Sequence, residues 1–336
     1  MEKHKIILDI DNATGIPARD VDDGLAIALA LASPELDLLG ITTCAGNCRT
    51  TESTDNTLRM LELVDRTDIP VAAGRDDPLI QNVSASLEYL QGWTRNYGYL
   101  WEGSPVLPPA RTKPIKQPAH EFIIEMVKKH PGQVTIVKEG SLTNLALALL
   151  VEPEIAPLVK GVVHMGGDFG TPWYATPGAA AVDDDPAIWR HIVRMNTVYD
   201  PEATTIVVQS GIPFTFVTSK ICARVLLRPE DVNAIAAVGT PYHDYIAGVS
   251  RPWVRWQTDF RGRKGACMWD PLTLALVYEP DFCVLAPMRC DLDKFRAWEF
   301  PWLFPDHNGP QVRVTVDVMD EKFERHLVKR LTARID

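Results

Sequence analysis

Five aspartates stand within fifteen residues near the start of the chain: Asp9, Asp11, Asp20, Asp22 and Asp23. Carboxylates that lie this close together repel one another unless a positive charge lies among them. A divalent cation is the simplest such charge, and an all-oxygen ligand set suits calcium or magnesium. Calcium tolerates an irregular arrangement of ligands better than magnesium does. The spacing therefore predicts a metal site built from these side chains.

The two elements beside these aspartates must position them. The apolar run that ends at Ile10 predicts a buried strand, and the stretch from Gly24 to Ala32 predicts a helix with an acidic start. Because side chains alternate along a strand, Asp9 and Asp11 share a face at its carboxyl end, which is where open parallel sheets bind ligands. Helix capping by Asp22 is the simpler alternative.

Strand and helix patterns alternate through the first two hundred residues. This rhythm predicts an α/β fold, a mostly parallel sheet with helices on both faces. The expected strands are Lys5–Ile10, Leu38–Thr43, Ile69–Gly74, Val134–Gly140 and Val159–Gly167. The expected helices are Gly24–Ala32, Thr54–Val64, Glu121–Lys129, Ser141–Val151 and Pro229–Phe260, with a last strand and helix over Val312–Leu331.

Two segments lack a regular pattern, and we predict surface loops at Pro78–Pro118 and Asp168–Pro186. There is no repeat or clear linker, so residues 1–336 are expected to form a single domain. The net charge of −10 disfavours nucleic acid and anionic membranes as partners. Six scattered cysteines favour reduced thiols, and no apolar run approaches the roughly eighteen residues of a membrane span. These features predict a cytoplasmic protein.

One competing enzyme class is the haloacid-dehalogenase-like phosphatase, whose nucleophile motif is D-x-D-x-T after a strand. Here Asp9 would be the nucleophile, but Ala13 stands in the fifth position and Thr14 comes one residue late. The chain also lacks a P-loop, a G-x-G-x-x-G after its first strand and a G-x-S-x-G elbow.

Five ordered segments between Ile6 and Pro280 resemble the nucleoside hydrolase family. The first resembles its D-x-D-P-G-x-D-D signature, which is followed by a helix, a strand and Gly-Asn. The others are similar to its G-P-L-T-N helix, its central strand, its ribose-binding asparagine segment and its last metal-ligand motif. In this sequence they read DID…DDGLAIALALASPELDLLGITTCAGN, VTIVKEGSLTNLALALLVEPEI, VVHMGG, MNTVYDPEA and MWDPLTLALVYEP.

The resemblance implies a set of site residues. Calcium would be held by Asp11, Asp23, Asp270 and the main-chain carbonyl of Glu139, where the family usually has Thr. Asp22 would hold the ribose 2′-hydroxyl and Asn196 the 3′-hydroxyl, and Asn47 would line the pocket. The implied reaction is calcium-dependent hydrolysis of the N-glycosidic bond of ribonucleosides, with metal-bound water as nucleophile and Asp11 as base. Family relatives are homodimers or homotetramers, so a homo-oligomer is expected.

The residue before Asp270 bears on the leaving base. Members of the family that tolerate pyrimidines have His there, and this chain has Trp269, which resembles the purine-specific branch. Indole rings that stack on the base would favour a departing purine and exclude water. For the second stacking residue we expect Trp93, with Trp101 in reserve.

Two departures from the family pattern leave alternatives open. Ten residues separate Asp11 from Asp22 where the family has three, so Asn12, Arg19 and Asp20 could reach the site. The family's Glu that binds the 5′-hydroxyl is replaced by Arg194, which binds phosphate well, so the substrate could be a 5′-modified nucleoside or nucleotide. A further alternative is a nucleoside-binding protein without turnover.

Overall fold

The computed structural model describes residues 3–80, 84–167, 195–291, 304–305 and 308–335. In these residues the strands are β1 His4–Ile10, β2 Leu36–Thr43, β3 Val71–Ala73, β4 Val134–Lys138, β5 Gly161–Met165, β6 Phe214–Val217, β7 Leu226–Leu227, β8 Ala266–Cys267, β9 Cys283–Asp291, β10 Phe304–Pro305 and β11 Gln311–Val318.

The helices of the same residues are α1 Asp22–Leu31, α2 Thr50–Leu63, α3 Ser84–Tyr97, α4 Ala119–Lys129, α5 Thr143–Val151, α6 Met195–Val198, α7 Pro201–Gln209, α8 Ser219–Cys222, α9 Pro229–Ala236, α10 Pro241–Arg255, α11 Trp269–Ala275 and α12 Asp320–Leu331. Short 3-10 segments lie at Gly98–Trp101, Pro153–Leu158 and Pro280–Phe282, and a π-helical turn at Trp256–Phe260 continues α10. None of the helices described here has the length and apolar character needed to cross a bilayer.

A nine-stranded sheet has the order β10-β9-β11-β6-β5-β4-β1-β2-β3. The pairs from β3 across to β11 are parallel, and β9 and β10 pair antiparallel at one edge. The strands β7 and β8 form a separate antiparallel pair. The predicted mostly parallel sheet flanked by helices is therefore confirmed.

Both faces of the sheet are covered by apolar side chains. Along β1, Ile6, Leu8 and Ile10 face a cluster that includes side chains of α1 and α12, whereas Ile7 faces a cluster with α4, α5 and α7. This division follows from the two-residue period of a strand. It explains why every side chain of β1 from Ile6 to Ile10 is buried.

The prediction of an irregular loop over Pro78–Pro118 was wrong, because that segment contains the fourteen-residue helix α3. Its aromatic side chains pack inward: the ring of Trp93 lies 4.9 Å from that of Trp256, and Tyr97 lies 5.8 Å from the same ring. The spacing of Leu90, Trp93 and Tyr97 is helical, a signal hidden by the prolines and aromatic residues around it.

Other boundaries moved by a few residues. The helical pattern expected over Pro229–Phe260 forms two helices, α9 and α10, which are separated at Gly239, whose φ of 71° a helix does not accommodate. The β9 strand was not predicted, because its alternation is interrupted by Pro287. The second predicted loop, Asp168–Pro186, lies outside the described residues.

Candidate functional site

The site lies where the order of the parallel strands reverses. The strands β1 and β4 are neighbours, but the chain leaves β1 toward β2 on the other side. Such a switch point opens a crevice at the carboxyl ends of the two strands. Asp11 follows β1 directly after Ile10, and Glu139 follows β4 directly after Lys138.

Asp11 is fully buried and fixed by main-chain contacts. Its Oδ2 accepts a hydrogen bond from the backbone N–H of Asn47 (2.7 Å), and its own N–H donates to Oδ1 of Asp23 (3.2 Å). The loop that carries Asn47 comes so close that a Cβ on Gly46 would lie 1.8 Å from Asp11 Oδ2. Only glycine permits this approach. Asp11 Oδ1 has no hydrogen-bond partner among the described residues.

Asp22 and Asp23 are the first two residues of α1, and both are buried. The positive end of the helix dipole favours carboxylates there. Asp22 Oδ2 accepts a long hydrogen bond from the backbone N–H of Asp270 (3.4 Å), which ties α1 to α11. In the part of the chain that is described, Asp22 Oδ1 and Asp23 Oδ2 have no partner.

Glu139 is held by its backbone on both sides. Its N–H donates to the carbonyl of Asp9 (2.8 Å), and its carbonyl accepts from Nδ2 of Asn196 (2.5 Å). The side chain is also buried, and neither carboxylate oxygen has a hydrogen-bond partner within the described ranges. The resemblance implied a ligand role for the carbonyl alone, but the structure also brings the carboxylate into the site.

Two overlapping groups of carboxylates result. One oxygen each from Asp23, Glu139 and Asp270 lie within 4.8 Å of one another, and so do one oxygen each from Asp20, Asp22 and Asp23. Three segments that are distant in sequence therefore meet at one place: the stretch from Asp20 to Asp23 at the start of α1, the end of β4 and the start of α11.

Burial and mutual repulsion perturb these acids strongly. Burial, and then the charge of Asp20, raise the pKa of Asp11 to about 7. Burial raises the pKa of Asp20 to about 6 although Arg19 opposes the shift. Burial followed by a neighbouring carboxylate raises the pKa well above its usual range for Asp22, Asp23, Glu139 and Asp270. Without a cation among them, ionisation of these carboxyl groups costs free energy.

A hard dication fits this donor set. The buried oxygens that lack a described partner are Asp11 Oδ1, Asp22 Oδ1, Asp23 Oδ2 and both oxygens of Glu139. A buried, unpaired carboxylate is costly, and a metal ion would satisfy several at once. Carboxylate oxygens are the ligands that Ca²⁺ prefers.

Asp9 does not join this group. It forms an ion pair with Lys138, and neither side chain is exposed to solvent. Its Oδ2 also accepts from Nδ2 of Asn144 (3.1 Å). An aspartate engaged in this way is not available as the nucleophile that the phosphatase alternative requires.

The ten-residue segment between Asp11 and Asp22 supports the site. Asp20 accepts hydrogen bonds from Nδ2 of Asn47 at both carboxylate oxygens (3.1 and 3.2 Å). Arg19 is buried, and its Nε donates to the carbonyl of Asn47 (2.9 Å). Asp20 and Arg19 thus hold Asn47 from two sides.

Asn12, the third residue considered from this segment, packs away from the carboxylates. Its Nδ2 donates to Oγ1 of Thr57 (3.3 Å), and its carbonyl accepts from Nδ2 of Asn56 (3.1 Å). Asn12 therefore anchors the segment on α2.

The aromatic residues differ in their exposure. Trp269 is half-buried and directly precedes Asp270 at the start of α11. Trp93 is half-buried between Trp256 and Arg261, whose guanidinium carbon lies 5.4 Å from the Trp93 ring centroid. Trp101 is buried beside Trp253, so it is a core residue and not a reserve for base stacking.

The structure places Asn196, which is expected to bind the 3′-hydroxyl, but it does not describe Arg194, which is expected near the 5′ position. Asn196 lies in α6, and its Nδ2 donates to the carbonyls of Glu139 and Met165 (3.2 Å). Arg194 lies outside the described residues, so its role stays a prediction.

Sequence reasoning missed the pairing of Lys138. A lysine inside the apolar run VTIVKEG was a usable signal, because a charge in a buried strand needs a partner. His243 is buried outside the site, with its ring nitrogens 2.6 Å from Oγ1 of Thr240 and 3.1 Å from the carbonyl of Ala333.

Comparisons with known proteins agree with this geometry. Residues 6–325 match the family described as "Inosine-uridine preferring nucleoside hydrolase". The chain is 31% identical to "Pyrimidine-specific ribonucleoside hydrolase RihA" of Escherichia coli O1:K1 over 316 residues, 92% of this chain and 94% of the relative. It is also 31% identical to "Probable uridine nucleosidase 2" of Arabidopsis thaliana over 279 residues, 83% of this chain and 79% of the relative.

Solved structures show the same similarity. "Plant nucleoside hydrolase - PpNRh1 enzyme" superimposes with a TM-score of 0.78 at 27% identity, covering 98% of this chain and 99% of the other. "Purine-Preferring Ribonucleoside Hydrolase from Gardnerella vaginalis" gives a TM-score of 0.78 at 24% identity, covering 98% of each chain, which is evidence for the fold.

Proposed function

The chain belongs to the inosine-uridine preferring nucleoside hydrolase family and acts on N-glycosyl bonds, and from this premise we propose that it hydrolyses purine ribonucleosides to ribose and free base with the help of a calcium ion. The observation that supports the metal most directly is the group of buried carboxylate oxygens without a described partner at the switch point of the sheet.

The residues that would hold the ion are Asp11, Asp23, Glu139 and Asp270. A calcium ion bound there would supply Lewis acidity, which makes a nearby water a stronger acid and polarises hydroxyl groups. Asp11 is the proposed base, because its Oδ2 is fixed by the N–H of Asn47 while Oδ1 is left to accept a proton.

The sugar would be oriented by two further side chains. Asp22 has a buried oxygen, Oδ1, left to accept the ribose 2′-hydroxyl. Asn196 donates through Nδ2 to two carbonyls, which leaves its amide oxygen to accept the 3′-hydroxyl. The carboxylates around the ring would stabilise the positive charge of an oxocarbenium-like transition state.

The preference for purines depends on Trp269. A half-exposed indole next to Asp270 could stack on the departing base and exclude water from it. Trp93 is proposed as the second wall of the base pocket, supported from behind by Trp256. Asn47 would line the pocket between them and the ion.

A pyrimidine nucleoside is the second candidate, and the names of two relatives that are 31% identical favour it. A 5′-modified nucleoside or nucleotide is a third, because Arg194 suits a phosphate.

A panel of substrates separates these candidates. Release of free base is measured from inosine, adenosine, guanosine, uridine, cytidine and inosine 5′-monophosphate, with calcium and with a chelator, for wild type, Asp11→Ala and the exposed control Asp281→Asn. We expect the purines to be the better substrates, no turnover in chelator and none in Asp11→Ala. A higher rate with uridine contradicts the purine preference, and calorimetric binding without any base release contradicts hydrolysis.

A further inference from the structure

Glu139 stands at a position where the family resemblance leads us to expect a main-chain carbonyl as a metal ligand. Here that carbonyl already accepts a hydrogen bond of 2.5 Å from Nδ2 of Asn196. The backbone is also fixed on the other side, because the N–H of Glu139 donates to the carbonyl of Asp9 (2.8 Å). These two hydrogen bonds fix the orientation of the peptide group, and they leave one lone pair of the carbonyl oxygen unused.

Unlike the backbone of Glu139, its side chain is not held by hydrogen bonds from the described residues. It is 1% exposed, and neither Oε1 nor Oε2 has a hydrogen-bond partner among the described residues. One of these oxygens lies within 4.8 Å of oxygens from Asp23 and Asp270. Lys138, its nearest cation in sequence, is paired with Asp9.

A buried carboxylate with both oxygens unsatisfied is costly unless something positive binds it. A dication between Asp23, Glu139 and Asp270 would remove this cost for all three. The same side chain has no other evident task, since no described donor holds it in place.

We propose that the carboxylate of Glu139 is a metal ligand in this protein, in place of or in addition to the carbonyl. The inference rests on the proposed function, because it concerns the same site. The ion would be held by one more negative charge than a carbonyl supplies, and calcium sites are tuned by the number of charged ligands.

This predicts a site with higher affinity for calcium than one with a hydroxyl side chain at the same position. Replacing Glu139 by Thr leaves the carbonyl in place and removes only the carboxylate. Replacing it by Gln keeps the shape and removes the charge.

The test is metal binding in the absence of nucleoside. Calcium affinity is measured by calorimetry for wild type, Glu139→Gln, Glu139→Thr and the control Glu324→Gln, which alters another buried glutamate whose oxygens accept from Leu226 and Arg228. We expect both Glu139 variants to bind calcium at least about 100-fold more weakly than wild type. Replacing a residue that only hydrogen-bonds to a metal ligand usually weakens metal binding by less than this. The control should bind as wild type does.

Two other readouts separate ligation from a structural role. With terbium as the probe, luminescence lifetimes in H₂O and D₂O count the waters on the ion, and Glu139→Thr should gain about one or two, because a carboxylate ligates through one or two oxygens. The melting temperature of metal-free Glu139→Gln should equal or exceed that of wild type, since an unpaired buried charge is gone, while its rise on adding calcium should be smaller.

Unchanged calcium affinity and an unchanged water count in both variants would overturn the proposal, and so would a lower melting temperature of metal-free Glu139→Gln with a normal calcium response. Base release tests the other claim separately. If calcium binding depends on Glu139 but no nucleoside is hydrolysed, the ligand assignment stands and the proposed function fails; the reverse result rejects only the ligand assignment.

Discussion

Ionisation of each buried carboxyl group at this site costs free energy, and this cost raises the pKa values of the groups. Burial raises the pKa of Asp11 from 3.8 to about 7 and that of Asp20 from 3.8 to about 6. A carboxyl whose pKa is higher in the folded state stabilises the fold below its unfolded pKa of 3.8, and this stabilisation is lost as the pH rises through the folded pKa.

From these shifts we predict how calcium affects stability at two pH values. The metal-free protein should lose stability between about pH 4 and pH 7, because over that interval Asp11 and Asp20 are ionised in the unfolded chain while they still keep their protons in the folded one. Calcium should then raise the melting temperature more at about pH 8 than at about pH 5, since it compensates charges that are present only at the higher pH. Thermal unfolding of chelated and calcium-loaded protein at both pH values measures this. An equal rise at both values would contradict the assignment.

A second prediction at the level of single residues concerns Trp269. If its indole stacks on the departing base, Trp269→Ala should lower the ratio of kcat/KM for inosine to that for uridine, because a purine offers the larger stacking surface. Loss of one base–aromatic stack costs about 1–3 kcal/mol, which corresponds to a fall of about 5- to 150-fold in kcat/KM for inosine. The ratio should fall by less, because uridine also loses its own, smaller stacking contact. Steady-state kinetics with both nucleosides give the ratio.

The matched control is Trp101→Phe, which alters a buried indole beside Trp253. Its ratio should equal that of wild type. An unchanged ratio in Trp269→Ala would remove Trp269 from the base pocket.

At the scale of elements, the strands β1 and β4 bring the site together, and a buried ion pair joins their ends. Asp9 and Lys138 face each other in register, and neither is exposed. The pair positions the strand ends from which Asp11 and Glu139 extend.

A double-mutant cycle tests this pair. Lys138→Met should lower the free energy of unfolding by about 3–5 kcal/mol, because it leaves Asp9 buried and uncompensated. Adding Asp9→Asn should restore most of that loss, since the amide that replaces the carboxylate keeps an oxygen for the N–H of Asn144 and carries no charge. Urea unfolding of the four proteins gives the coupling, and strictly additive losses would show that the pair is not a unit.

The elements that could be predicted from the sequence are those whose pattern is local. The apolar run of β1, the acidic start of α1 and the final strand and helix agree with the structure, because burial on two faces or on one stripe leaves a direct trace in the sequence. The helix α3 was missed because its apolar face packs against the distant Trp256 and because prolines and aromatic residues around it hide the helical spacing.

In the same way, some residues of the site could be predicted from the sequence and others could not. Asp11, Asp22 and Asp23 could be located from spacing and from the family resemblance, since each lies at the end of a regular element. The resemblance also implied that Asp270 and the carbonyl of Glu139 join them, but the approach of the Glu139 carboxylate to Asp23 and Asp270 depends on the order of strands, which no local pattern contains. The hydrogen bond from Asn196 to the carbonyl of Glu139 could not be foreseen for the same reason.

At the scale of the whole molecule, the acidic site lies in an acidic protein with a net charge of −10. This charge suits a small substrate that is neutral or that meets a bound cation, and it disfavours polyanions. The matches over nearly the whole chain fit the single domain that we propose for residues 1–336. The homodimer or homotetramer expected from the resemblance stays a prediction.

The central claim is that carboxylates from three distant parts of the chain, residues 11–23, 139 and 270, gather around one dication that catalysis requires. The most direct measurement titrates chelated protein with calcium while bound metal and base release from inosine are recorded together, for wild type and for Asp23→Asn. The account predicts no base release before calcium is added and a rate that rises in proportion to bound calcium up to about one ion per chain, with neither tight binding nor turnover in Asp23→Asn. Full turnover in chelator, or wild-type calcium affinity in Asp23→Asn, would contradict it.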